Sequence, residues 1–181
     1  MSWEDFYRRR EVIDAVLRAA SRNPDGPLPF TEVDGAAEAF GDQRQLLLAL
    51  YYDWMQLMTG YLRAEAAGPE DNHDAPEGRD DSDHADRVAR AWRRAAADHA
   101  TLRAVLDANI DRFPDVGVPA LEREQRVLAM TAGLAEPTEP PEEVAKVGSA
   151  FLALTRHADS TAAERSSRSA ASVLRRLAAS A

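Results

Sequence analysis

The chain has 181 residues, with 22 Lys and Arg against 31 Asp and Glu, four His and no Cys. A chain of this length forms one main domain and buries roughly two-thirds of its unfolded surface, so it needs no disulfide or structural metal to fold. The missing Cys excludes disulfides, thiolate metal sites and cysteine nucleophiles, and a net charge of −9 argues against a generally sticky nucleic-acid or membrane binder.

The charge is regional. Residues 1–22 carry five Arg against four acids, residues 23–86 carry 15 acids against three Arg, and residues 87–181 carry 14 bases against 12 acids. The first residues show no basic stretch leading into an apolar one, so no signal peptide is expected. No continuous apolar run approaches the roughly 18 residues of a membrane span, so no membrane is expected and the cytoplasm is the expected compartment.

Ala, Leu, Arg and Glu dominate, all good helix formers, and no segment alternates with period two, so the expected class is all-α. Phe6, Arg10, Ile13, Leu17 and Ala20 step by three or four and predict a helix over about 4–22. Pro24, Pro27 and Pro29 end it. A short helix over 31–39, capped by Thr31, comes before the break at Gly41. Asp42 and Gln45 then form a capping-box-like pair at the head of a long helix, 43–66. Its start is apolar nearly all round (Leu46, Leu47, Leu48, Leu50, Tyr51, Tyr52), the pattern of a helix buried between two layers. Residues 68–83 read as a polar, acidic loop. Further helices follow over about 84–99, 101–111 and 119–132, the last entered through a connector with Pro119 in its first turn. Two more are predicted over 141–158 and 161–178, the last capped by Ser160.

The order of these pieces resembles the TetR family of one-component repressors. Arg8-Arg9-Arg10-Glu11-Val12-Ile13-Asp14-Ala15-Val16-Leu17 is similar to the family's first helix. Ala39-Phe40-Gly41-Asp42-Gln43-Arg44-Gln45-Leu46-Leu47 is similar to the Phe-Gly-Ser-Lys-Glu-Glu-Leu-Leu segment that opens its long connecting helix. Ala97-Asp98-His99-Ala100-Thr101-Leu102-Arg103-Ala104-Val105-Leu106 is similar to a His-Pro-x-Leu-x-x-Leu junction in its body, and Glu142-Glu143-Val144-Ala145 before an apolar helix also fits. The resemblance covers about residues 5–158. It implies an all-α, TetR-like helical bundle with a small head, residues 1–42, on a ligand-sensing and dimerisation body, residues 43–181.

The head departs from the family. Two helices and a turn are expected between the first helix and the Phe-Gly segment, and only the nine residues Thr31–Ala39 are available, enough for one short helix. The Tyr-x-x-Phe that closes the family's reading helix stands here as Ala37-Glu38-Ala39-Phe40. Charge agrees: residues 23–62 hold Asp25, Glu32, Asp34, Glu38, Asp42 and Asp53 against Arg44 alone, whereas a DNA head neutralises phosphates with Lys and Arg. The resemblance therefore implies a helix-turn-helix reduced to a remnant, with DNA a doubtful partner.

Several residues carry alternative readings. Arg8, Arg9 and Arg10 either touch phosphate or form a solvated face paired through Glu4, Asp5, Glu11 and Asp14. Tyr51, Trp54, Met55, Met58, Tyr61, Trp92 and His99 either line a cavity for a small apolar ligand, as the resemblance implies, or are ordinary core. His73, Asp74, Asp80, Asp81, Asp83, His84 and Asp86 read as a solvated acidic loop rather than a metal site, because no recognised ligand spacing is present. Val147, Gly148, Phe151, Leu154, Leu174 and Leu177 are candidates for a dimer interface, against intrachain packing. There is no G-x-S-x-G elbow, H-E-x-x-H or P-loop, so no enzyme, cofactor or metal is expected. The expected function is regulatory or ligand-sensing, as a homodimer or through a protein partner. A DNA-binding repressor with a differently folded head, or a helical enzyme or metal protein, stands as the alternative.

Overall fold

The computed structural model describes residues 3–67 and 81–157, and within them every regular element is a helix. They are α1 (Trp3–Ala20), α2 (Ala36–Phe40), α3 (Gln43–Ala67), α4 (Asp81–Asp98), α5 (Ala100–Asn109), α6 (Pro114–Thr131) and α7 (141–157). No helix among the described residues is long and apolar enough to cross a membrane. The expected helix 161–178 lies outside the described residues, as do residues 68–80 of the expected acidic loop, whose last three residues, 81–83, instead begin α4.

α3 is the central rod: α2, α4, α5 and α6 all pack on it. Asp42 Oδ1 accepts the Gln45 N–H at 2.8 Å, so the predicted cap forms and starts this helix. Leu46, Leu47, Leu50, Trp54 and Met58 are fully buried, joined by Val16 of α1, Val105 and Leu106 of α5, and Leu128 of α6. The expectation that this helix would be covered on all sides fails on one face. Leu48 and Tyr52 stand 51% and 64% exposed, because α4, α5 and α6 cover only the opposite faces.

Between Pro29 and Phe40 the chain makes turns and then a single five-residue helix. The predicted cap Thr31 is displaced by Gly35, which sits at φ 79°. Gly41, at φ 76°, ends α2 and donates its N–H to the Ala37 carbonyl at 2.8 Å. A left-handed residue at each end confines this helix to little more than one turn, and glycine adopts that conformation without a side-chain clash. The proline-rich segment before it is not loose. Leu28 is core, and Arg112 Nη1 donates to the Gly26 carbonyl at 2.9 Å.

α6 differs from the expectation at its start. It begins at Pro114, so Pro119 lies inside the helix rather than in its first turn. The proline removes the N–H that would bond the Asp115 carbonyl, and both residues are exposed, so water can take the carbonyl. Gly117 is a packing residue. A Cβ there would come within 2.8 Å of Ile110 Cα, so only glycine lets α6 leave α5 at this angle.

α7 lies on α6 at Gly148, where a Cβ would collide with the carbonyl of Gln125. Val144, Ala145, Leu152 and Thr155 are buried with it, while Ser149, Ala150 and Ala153 face outward. Gly148→Ala should therefore force the two backbones apart and lower stability by about 1–3 kcal/mol, a fall in Tm of several degrees. Thermal unfolding followed by circular dichroism checks this, and an unchanged Tm would show that α7 does not depend on the close approach.

Candidate ligand cleft

The seven residues singled out as a possible cavity wall divide in the structure. Tyr51, Trp54, Met58 and Trp92 are core, with Met55 packed against them. What gathers these aromatics is a buried ion pair. Arg103 and Glu124, with side chains 7% and 1% exposed, meet at Nη1–Oε2 2.9 Å and Nη1–Oε1 3.2 Å. Arg103 also spans Asp107, through Nη2–Oδ1 at 2.7 Å and Nε–Oδ2 at 3.2 Å. Trp92 Nε1 donates to Glu124 Oε1 at 2.8 Å, and the Arg103 guanidinium lies 5.0 Å from the Trp54 ring centre. The two indoles meet edge to face at 6.4 Å. Arg156 of α7 completes the cluster, stacked 5.5 Å over Trp92 and donating to Asp107 Oδ1 at 3.2 Å.

Burial by itself would lower the Arg103 pKa, but Glu124 and Asp107 outweigh it and raise it, so the guanidinium stays charged. Tyr51 donates to the Leu106 carbonyl at 3.4 Å, and burial pushes its phenol up to about 12. The aromatic stripe is therefore the packing shell of a charge pair, and Tyr51, Trp54, Met58 and Trp92 sit as core, the second of the two readings. Sequence reasoning missed Arg103 and Glu124 as partners. The available signal was Arg103 placed among Leu102, Val105 and Leu106.

The other two residues, Tyr61 and His99, lie nearer the surface. Their rings meet edge to face at 6.0 Å, and Tyr61 donates to Asp98 Oδ2 at 2.7 Å. His99 stands at the break between α4 and α5, and there it helps line a cleft of about 500 Å³. One wall is α1 (Arg10, Ile13, Asp14, Leu17), the second is α3 (Asp53, Leu57), and the third is the α4–α5 turn from Ala97 to Leu102. Ile13 and Leu102 are core residues, and Leu17 and Leu57 pack against the core, so the floor is apolar. The volume is within the roughly 300–1,000 Å³ range of small-molecule sites.

Asp53 is the charged residue of interest. It is the single ionisable side chain between Arg44 and Arg63 along α3 except for the tyrosines, a signal that was available in the sequence. It is half-buried. Loss of solvent raises its pKa, Arg10 opposes that and Asp14 adds to it.

The remaining candidates fall as follows. Arg8, Arg9 and Arg10 are exposed, but Arg9 is engaged within the chain. Its Nε donates to the Ala39 carbonyl at 3.1 Å, and its guanidinium lies 5.3 Å from the Phe40 ring centre. Arg10 faces the cleft. His84 Nε2 is 2.7 Å from the Thr131 carbonyl and ties α4 to α6. His73, Asp74 and Asp80, and the side chains of Asp81 and Asp83, lie outside the described residues. Among the described residues no three metal-type side chains converge. Of the dimer candidates, Gly148 packs against α6 within the chain, Val147 is half-buried and Phe151 packs on the core. Leu154 is 71% exposed. Leu174 and Leu177 lie outside the described residues.

Two outcomes are expected. Glu124→Ala removes the buried partner of Arg103, leaving it Asp107 alone, and should cost about 3 kcal/mol, whereas Arg103→Met with Glu124→Leu should recover most of that loss. Denaturant titration of both variants decides, and a double variant no better than the single one would contradict the assignment. Asp53→Asn should stabilise the fold by about a few tenths of a kcal/mol at neutral pH given its partial exposure, read as a small rise in Tm. The sign follows from the raised carboxyl pKa. The ionised form is disfavoured in the fold, so the gain is full above that pKa and vanishes as pH falls below the unfolded carboxyl range.

Comparison of this chain with models of known protein families, with curated proteins and with solved structures finds no match.

Proposed function

We propose that this chain is a non-enzymatic, ligand-responsive regulatory protein on a TetR-like plan whose DNA-reading step is lost, acting as a homodimer or through a protein partner. The observation that carries this reading is α2. A groove-reading helix must present several side chains along a major groove about 12 Å wide. α2 has five residues, roughly 7.5 Å of helix at 1.5 Å per residue, with a glycine in the left-handed region at each end. Glu32, Asp34, Glu38 and Asp42 lie in or beside it along the chain, and Arg9 already holds its end.

The ligand site of this reading is the cleft rather than the aromatic core. α1 supplies one wall, and α3 and the α4–α5 turn supply the others, so an occupant would touch both the head and the body. Such a position couples binding to the seating of α1 by simple differential contact. The exposed Leu48, Tyr52 and Leu154 are apolar surface available for association.

In fluorescence anisotropy, duplexes from upstream of the coding sequence and a randomised duplex pool should bind alike, weakly and with steep salt dependence. Light scattering should give twice the chain mass. A sequence-specific complex that survives physiological salt would overturn the reading.

A further inference from the structure

The chemistry of the cleft narrows what it would take. Three carboxylates line it, from Asp14, Asp53 and Asp98, against the single guanidinium of Arg10. Asp98 is already engaged by the Tyr61 hydroxyl at 2.7 Å and by Arg94 at 3.8 Å. Asp14 and Asp53 differ: among the described residues neither makes a hydrogen bond or an ion pair within the chain. Asp53 is moreover half-buried, beside the apolar floor of Ile13, Leu17, Leu57 and Leu102. A half-buried carboxylate that no hydrogen bond or ion pair holds is costly, and the like charge of Asp14 adds to that cost while Arg10 offsets part of it. The feature is thus more than a group of surface acids. It is a half-open cleft with an apolar base and a net negative charge on its wall, which Arg10 offsets only in part.

We propose that this cleft binds a small organic ammonium ion, with the N–H groups donating to Asp53 and Asp14 and the hydrocarbon body lying on Ile13, Leu17, Leu57 and Leu102. The assignment rests on the ligand-responsive reading above and names its ligand class. A protonated amine supplies what the wall lacks: one positive charge and up to three donors in a charge-assisted geometry. The apolar base contributes by burial, which a bare inorganic cation does not use. An organic anion would meet one guanidinium and several carboxylates. Asp53 loses solvent on folding, and that loss raises its pKa; Arg10 acts against this and Asp14 with it. A bound ammonium would reverse the imbalance and hold the carboxylate ionised.

The test uses three probes of matched shape on the full chain: benzylammonium, benzyl alcohol and phenylacetate. Amide shifts are followed by two-dimensional NMR. Benzylammonium should saturate a shift confined to residues around Asp14, Asp53, Leu57 and His99–Leu102, and its affinity should fall about tenfold or more in Asp53→Asn. The variant removes a disfavoured charge and should fold at least as well as the parent, with Asp14→Asn as a second, weaker case. No saturable shift with benzylammonium, or equal binding by Asp53→Asn, overturns the assignment. If benzyl alcohol or phenylacetate shifts the same amides as strongly, the ammonium class fails while the ligand-responsive reading stands. A sequence-specific DNA complex defeats that reading without touching the cleft result.

Discussion

A buried charge pair organises this helical bundle. Arg103 and Glu124 meet where almost no solvent reaches them, and each is satisfied by more than its partner. Arg103 reaches Asp107 as well, and Glu124 takes the Trp92 N–H. Desolvating two ions is expensive, and the attraction between them offsets it only when the remaining donors and acceptors are also paired. That requirement makes the pair a geometric constraint. α4 must present Trp92, α5 Arg103 and Asp107, α6 Glu124, and α7 Arg156, all to one point beside Trp54 of α3. A slide of α5 or α6 by one turn would part the two buried charges, and a slide of α4 would take the Trp92 N–H from Glu124.

The constraint has consequences at a distance. It fixes α5 and the end of α4, and so it fixes the turn through His99 that forms one wall of the cleft. The facing wall is held differently. α1 is anchored through Val12, Ile13, Val16 and Ala20, all in its second half, and through Arg9 on the end of α2. Its first half is exposed, with Trp3 stacked on Tyr7 and Phe6 edge-on to both. The cleft therefore lies between a rigid, charge-pinned frame and a helix attached mainly by one end. A ligand contacting both would have a two-part element to act on, which is the physical requirement for a sensor.

The α2 region shows how a small backbone feature limits function. Gly35 and Gly41, both at positive φ, stop the helix after five residues. Arg112 and Leu28 hold the segment before it against the body. Stability and compactness in this stretch come from tying a short loop down, at the expense of any protruding helix.

Much of the helical layout was legible along the chain, because it depends on local chemistry. Asp42 caps α3 as the Asp-x-x-Gln spacing implies, the prolines at 24, 27 and 29 separate α1 from α2, and the break at His99 divides α4 from α5. Those effects act within a few residues and leave a readable pattern. Other features carried a misleading local signal. Pro119 and Gly117 look like a connector, yet they sit in a helix, one at the solvent side and one pressed on Ile110. Gly148 looks like a residue for joining two subunits, and its space is taken by the Gln125 backbone. The aromatic stripe looked like a cavity wall, and the structure wraps most of it around a salt bridge whose halves lie 21 residues apart. Nothing local couples an arginine on one helix to a glutamate on the next. The cost of burying either one alone makes the pairing obligatory, and that cost exists only once the helices have closed over them.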